Sequence, residues 1–381
     1  DDDELVCDVC SKILSKKIAV EDFSKYFRNR FIELKNILQE HTELNNLVSI
    51  EKISGGRQGL SLIGMVSDKR TTKNKNILLE IEDLTGKIAV LINNNKPDLY
   101  KKAEEVILDD IIGIKCSGSR EIVFANDIIF PEAMLSERKK SQEETFLVFT
   151  GDTHFGSAKF TEKSFLKFVD FLNGKIKCEV DTSKIKCLFI VGDLIDGVGI
   201  YPGQDRELRI QNVEDQYAKA AELLGKIRQD IKIIICPGNH DAVRIMEPQP
   251  LLSEKYAWPL YELKNIILTT NPSLINVGAT KNFLGFDIML YHGVSFNYYA
   301  NNVNSLRLNK AYHRPEIIRE FLLKRRHLAP THSSTLYFPS EEDVHLIRTI
   351  PDILLTGDLH KSSVAYYNNI LSVSASCWQL K

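Results

Sequence analysis

No run in this 381-residue chain approaches the roughly 20 consecutive apolar residues that a helix needs to cross a bilayer. Its opening residues carry no signal-peptide pattern, so a cytoplasmic protein with no membrane role is expected. A start at Asp1 rather than Met suits a fragment or a processed chain. Charge of one sign is also missing. The 49 basic and 51 acidic side chains leave a net charge of −2, which excludes a polycation and confines any nucleic-acid contact to local patches. The seven cysteines are odd in number, and residues such as Cys187 and Cys236 sit inside apolar runs. That pattern suits reduced core thiols and argues against a disulfide framework. Cys7-Asp8-Val9-Cys10 is a lone C-x-x-C without a second pair nearby, too few ligands for a structural zinc. Internal repeats and low-complexity tracts are absent.

What is there is an ordinary globular composition, 43% apolar and 26% charged, with length enough for two or three domains. Residues 1–45 read as an N-terminal helical segment, because Phe23, Tyr26, Phe27, Phe31, Leu34 and Leu38 recur at near-helical spacing. Residues 46–135 hold short β-rich runs at 60–66, 76–82, 87–92, 111–115 and 121–124, which predict a small barrel of the OB type. Lys69, Arg70, Lys73 and Lys75 cluster at one of its turns, and Lys69, Arg70 and Lys73 are candidate DNA contacts. Strand aromatics for stacking bases are scarce, so a structural or protein-docking barrel is the competing reading. Residues 136–144 are polar and charged, as in a solvated linker. From 145 to 381 the pattern becomes α/β: continuous apolar runs at 146–150, 187–191, 231–236, 286–290 and 353–356 suit strands covered on both faces, with amphipathic helices over 164–173 and 213–228.

Each of those apolar runs ends in metal-ligand chemistry. The segments are Gly151-Asp152-Thr153-His154, Gly192-Asp193-Leu194-Ile195-Asp196, Gly238-Asn239-His240-Asp241, Tyr291-His292-Gly293 and Gly357-Asp358-Leu359-His360. In α/β sheets ligands bind where strands end. A single Gly-Asp after a strand means little, but the ordered set supplies enough Asp, Asn and His for two divalent ions side by side, the usual machinery for hydrolysing a phosphate ester. Asp193 is the natural bridge, since a carboxylate has two oxygens and neutralises charge. Asp152 and His154 alternate along an extended segment and can face one ion. Asn239 offers a neutral oxygen to the second, and His292, Asp358 and His360 complete the shells. The mixed nitrogen and oxygen donors fit Mn²⁺, Fe²⁺ or Zn²⁺ better than Mg²⁺ or Ca²⁺. His240 is the candidate general acid, and Asp241 is placed to orient it; Asp196 is a second candidate for that role or for tuning the outer shell. His41, His313, His332 and His345 are expected to be structural or superficial. Lys324-Arg325-Arg326-His327 could grip a phosphate backbone or form a solvated basic face.

The motif set over 146–361 resembles that of the calcineurin-like metallophosphoesterases, including their nuclease members. The resemblance implies a β-sandwich core flanked by helices, an α/β (α+β) fold. Features outside the motifs are similar to the small subunits of archaeal D-family DNA polymerases. They include Gly64 to Arg70 with Glu82-Asp83-Leu84-Thr85-Gly86, Tyr201-Pro202-Gly203-Gln204, Leu323 to Pro330, and Ser374 to Gln379. That resemblance implies a proofreading 3′→5′ exonuclease favouring Mn²⁺, paired with a large catalytic subunit and acting on single-stranded or mispaired 3′ ends. By it, Asp152, His154, Asp193 and His360 would hold one ion, Asp193, Asn239, His292 and Asp358 the other, and His240 would be catalytic. The superfamily has Gly-His-x-His where this chain has Gly357-Asp358-Leu359-His360, a change that favours a harder ion such as Mn²⁺ or Mg²⁺. The competing readings are a non-catalytic scaffold subunit and another phosphatase of the same superfamily.

Overall fold

The computed structural model describes residues 4–8, 17–55 and 57–380. Strand β1 (Glu4–Asp8) pairs antiparallel with residues 274–279, and helix α1 (Val20–Gln39) follows. The expected helical segment over 1–45 is thus corrected at its start. The residues that carry the helical spacing all fall within α1, whereas 4–8 complete the edge of a distant sheet, a tertiary pairing that no local period signals. The side chains of the Cys7/Cys10 pair lie outside what is described.

A closed barrel comes next, formed by β2 (Arg57–Thr71), β3 (Ile77–Asp83), β4 (Gly86–Ile92), β5 (Ile111–Gly118) and β6 (Ile122–Ile129) in the order β2-β3-β4-β6-β5. Helix α2 (Pro97–Glu105) connects β4 to β5, with proline at its first turn where a missing N–H costs nothing. Strict alternation builds the barrel core: Ile77, Leu79 and Ile81 point inward from β3 while Glu80 faces solvent.

The rest is a sandwich of two sheets. Strands β7 (Phe146–Thr150), β8 (Ile185–Val191), β9 (Lys232–Cys236) and β10 (Ile266–Leu268) form one, all parallel, in the order β10-β9-β8-β7. Helices α3 (Glu162–Leu172), α4 (Val213–Leu224) and α5 (Glu254–Tyr261) cover its outer face. The second sheet runs β1-β11-β12-β13-β15-β14, with β11 (Ser273–Ala279), β12 (Phe286–Leu290), β13 (Ile353–Thr356), β14 (Ser363–Tyr367) and β15 (Ile370–Ser374). Its outer face carries α6 (Phe296–Asn302), α7 (Asn304–Leu308) and α8 (Pro315–Arg325). The continuous apolar runs are explained by this layering. In β8, Leu188 and Ile190 pack under the helices while Cys187, Phe189 and Val191 fill the space between the sheets. Among the described residues no helix is long and apolar enough to cross a membrane.

Barrel and sandwich are joined by buried polar groups as well as by apolar contact. Phe31, Leu34 and Leu38 of α1 pack with Ile63, Ile111 and Ile129 of the barrel and with Leu346. Arg30, itself buried, bonds Asp343 at 2.5 Å and the Pro330 carbonyl at 2.7 Å. The expected linker is pinned too: Lys139 reaches Asp287 at 2.9 Å and Asp352 at 2.7 Å.

Candidate metal centre

Five strands from both sheets (β7, β8, β9, β12 and β13) end at one edge of the sandwich, and the chain turns sharply after each. Asp152, His154, Asp193, Asp358 and His360 all have φ between 48° and 66°, the left-handed region. Each such non-glycine residue costs roughly 1–2 kcal/mol, so strain is concentrated where these side chains meet. Gly238 explains one glycine of the motifs: a Cβ there would overlap the Asp193 carboxylate.

The donors form two groups about Asp193. On one side His154 Nε2 and His360 Nε2 are 3.1 Å apart, Asp152 Oδ1 is 3.5 Å from His360 Nε2, and Asp193 Oδ2 is 3.7 Å from His154 Nε2. On the other, His292 Nε2 lies 3.0 Å from Asn239 Oδ1, 3.3 Å from Asp193 Oδ1 and 3.9 Å from Asp358 Oδ1. The sets Asp152/His154/His360 and Asp152/Asp193/His292 each bring their ligand atoms within 4.8 Å of one another. Asp152 Oδ2 is buried and has no hydrogen-bond partner among the described residues. An orphaned carboxylate oxygen beside converging imidazole nitrogens is what a cation site leaves behind, so these residues fit divalent ions.

Outer contacts aim the donors. His292 Nδ1 faces the Val191 carbonyl at 3.1 Å, which turns Nε2 toward the site, and its backbone N–H donates to Asn271 Oδ1 at 2.9 Å. His154 Nδ1 faces Asp196 Oδ1 at 3.0 Å, and that carboxylate oxygen accepts from Gln379 Nε2 at 3.2 Å. Asn297 Nδ2 donates to Asp358 Oδ2 at 3.0 Å. Burial alone would raise the Asp193 carboxyl, but His292, His154 and His240 around it hold it far below the usual carboxylate range. Burial opposes protonation of His292 as well, yet Asp193 raises it well above an ordinary imidazole. Asp358 behaves differently: burial, reinforced by Asp152 and Asp193, pushes it up to about 7 despite His292.

His240 stands at the rim, half-buried, with Nε2 4.0 Å from Asp193 Oδ2 and Nδ1 2.7 Å from the Asp196 carbonyl oxygen. The expectation that Asp241 orients it is corrected. Asp241 points inward and accepts from the N–H groups of Gly238, Leu194 and Ile195 at 2.8 to 3.2 Å and from the Tyr217 hydroxyl at 3.4 Å. A buried carboxylate takes the nearest unpaired backbone donors, and here they belong to the loops that carry Asp193 and Asn239.

The basic candidates are also corrected in part. Arg325 is buried, forks onto Asp110 at 2.8 and 3.1 Å and caps the Glu105 carbonyl. Arg326 is spent on the carbonyls of Ile347 and Arg348, and Lys324 pairs with Glu105 at 2.7 Å. Lys69 bonds the Glu104 and Val106 carbonyls at 2.8 and 2.7 Å, at the end of α2. Orphaned helix-end carbonyls attract cations as a phosphate would. Arg70 and Lys73 remain exposed. Two of the histidines expected to be structural or superficial have opposite settings: His345 is buried against Glu247 at 2.9 Å, and His313 is exposed. Sequence reading missed Asn271 and Asn297, since an amide far along the chain carries no local sign of what it will hold.

The family model described as calcineurin-like phosphoesterase matches residues 147–367. The chain is also similar to proteins named DNA polymerase II small subunit. It is 38% identical to that of Methanothermobacter thermautotrophicus over 365 residues, covering 94% of this chain and 73% of that protein. It is 36% identical to that of Pyrococcus horikoshii over 372 residues, covering 95% of this chain and 58% of that protein. The Archaeoglobus fulgidus protein is 33% identical over 364 residues, covering 94% of this chain and 71% of its own length. The chain therefore spans between about three-fifths and three-quarters of the length of these relatives.

Proposed function

Because the chain belongs to the calcineurin-like phosphoesterase family and, within it, to the archaeal DNA polymerase II small subunits, we propose that it is the 3′→5′ proofreading exonuclease of such a polymerase, paired with a large catalytic subunit. The observation that carries this reading is the division of the donors about Asp193. Asp152, His154 and His360 would hold one divalent ion, Asn239, His292 and Asp358 the other, and Asp193 would be shared. When bound, the ions supply an activated water and neutralise charge on the scissile phosphate, with Mn²⁺ the best match to the donor set. The protein's own part is orientation and proton transfer. With Nδ1 turned to the Asp196 carbonyl, His240 presents Nε2 to the site mouth, where it can donate a proton to the departing 3′ oxygen.

On this reading DNA enters from the open edge of the sandwich, and the products are 5′-mononucleotides from single-stranded or mispaired 3′ ends. We also divide the chain into a barrel unit over 46–135 and a phosphoesterase unit over 145–381, and read the barrel as an OB fold from its strand order. The test is hydrolysis of 3′-labelled DNA with Mn²⁺, with and without the polymerase subunit. Stepwise release of mononucleotides, abolished by Asp193→Asn in a protein of unchanged circular dichroism, is the expected result. Endonucleolytic products alone, or an equally active variant, would overturn it.

A further inference from the structure

The loop from Gly197 to Tyr201 has features that metal binding and proton transfer leave unused. It exposes Val198, Ile200 and Tyr201, which are 46%, 39% and 40% accessible. Apolar side chains on a free loop would fold inward, but this loop is held in place from beneath. Gln204, buried, donates to the Asp196 carbonyl at 2.8 Å and accepts the Ile200 N–H at 2.9 Å. Gln216, also buried, accepts the Gly197 N–H at 2.9 Å and donates back to its carbonyl at 3.1 Å. Gly197, at φ 73°, lies so close to the His240 carbonyl that a Cβ would overlap it. The loop is therefore fixed against the segment that carries the proposed general acid.

Tyr201 is the aromatic member of this rim. Its ring centre is 6.4 Å from that of His240, the planes inclined by 62°. Its hydroxyl donates to Glu207 at 3.3 Å, and Glu207 is paired with Lys159 at 2.7 Å, which steadies the ring from its polar end. Arg206 and Arg209, further along the same segment, are exposed and form no ion pair among the described residues, against the single exposed acid Asp205 between them and the loop.

We infer that Tyr201 is a stacking platform for the base of the 3′-terminal nucleotide, and that it selects unpaired over paired DNA ends. The inference rests on the exonuclease reading, because it assumes that the phosphate of that nucleotide lies over the Asp193 carboxylate. A base in a duplex is already stacked and paired, so only a frayed or mismatched end can offer its face to a protein ring without an unpairing cost. Every base has such a face, so the platform works without regard to sequence.

The test compares Tyr201→Ala, Tyr201→Phe and Tyr201→Trp with the wild type on single-stranded 3′ ends that carry either a normal or an abasic terminal residue. Tyr201→Ala raises KM about tenfold on the normal end with a smaller change in kcat, from the usual strength of base–aromatic stacking. It leaves the abasic end unchanged, and the aromatic variants behave as the wild type. A second readout needs no turnover: a 3′-terminal 2-aminopurine nucleotide joined to the strand through a phosphorothioate linkage, with Mg²⁺, is quenched on binding to the wild type and not to Tyr201→Ala. Equal KM values for the two proteins, an equal penalty on the abasic end, or retained quenching would each overturn the platform while leaving the exonuclease standing. Lost binding of the large subunit with hydrolysis unchanged would make the loop a partner surface and overturn it as well. Quenching by a wild-type protein that hydrolyses no DNA end would support the platform and reject the exonuclease.

Discussion

Nδ1 of His240 lies 2.7 Å from the carbonyl oxygen of Asp196, an acid whose side chain is at the same time turned to Nδ1 of His154 at 3.0 Å. One residue thus orients two imidazoles by two different groups, its main chain for the rim histidine and its carboxylate for a candidate ligand. The arrangement can be taken apart by mutation, because the carbonyl survives any change of side chain.

Asp196→Asn keeps the carbonyl and removes the charge behind His154. Metal affinity should fall about 10- to 100-fold, the usual cost of losing an outer partner of a ligating histidine. Titration of the apoprotein with Mn²⁺ by calorimetry measures it, and kcat at saturating metal should recover most of its wild-type value.

His240→Asn and Asp241→Ala should fail in different ways. The first removes a proton donor and should lower kcat by about 10²- to 10⁴-fold with metal binding and melting temperature intact. The deficit should shrink on an ester with a nitrophenolate leaving group, which needs no protonation. Asp241→Ala instead strips acceptors from the N–H groups of Gly238, Leu194 and Ile195, at a cost of about 3 kcal/mol or more in denaturant unfolding.

Arg325→Ala should unsettle the fold and not the grip on DNA. It leaves Asp110 buried without its counter-charge, which typically costs about 3–5 kcal/mol. Fluorescence anisotropy of labelled DNA, taken well below the lowered unfolding temperature, should give the wild-type affinity.

Acid should weaken the junction between α1 and the sandwich through His327. Burial, with Arg30 adding to it, pulls His327 down to about 3 despite Asp343 at 2.8 Å. The unfolded chain takes up that proton near the ordinary value of about 6.5, so the native state loses stability as pH falls from about 6.5 toward 3, by up to about 5 kcal/mol. Asp343 is held well below the carboxylate range by Arg30 and His327 in spite of its burial, so its own contribution is lost only below about 3.8. Urea midpoints at pH 7 and pH 4 should differ markedly in the wild type and less in His327→Gln.

Much of this was legible beforehand because the signals are local. A parallel strand buried on both faces must be a short apolar run, and a residue presented at its end must follow directly, so the gathering of Asp152, Asp193, Asn239, His292 and Asp358 at one edge of the sandwich can be read from position alone. The barrel was equally open to reading, since alternation such as Ile77, Leu79 and Ile81 against Glu80 exists in one strand before any pairing. The N-terminal strand was not, because 4–8 are extended only through pairing with 274–279.

By itself, then, the sequence determined the kind of fold and the donor types carried at the strand ends: both follow from residue types at short spacing. Tertiary structure alone decided the partner of each charged group. Asp196 and Asp241 are both buried, yet Asp241 is taken up by the backbone N–H groups of Gly238, Leu194 and Ile195 while the Asp196 carbonyl meets His240. Arg325 and Arg70 are the same residue type, yet Arg325 alone of the two is buried in the scaffold. A buried charge is satisfied by whichever donors or acceptors the fold brings within about 3 Å, and those come from segments that no reading along the chain brings together.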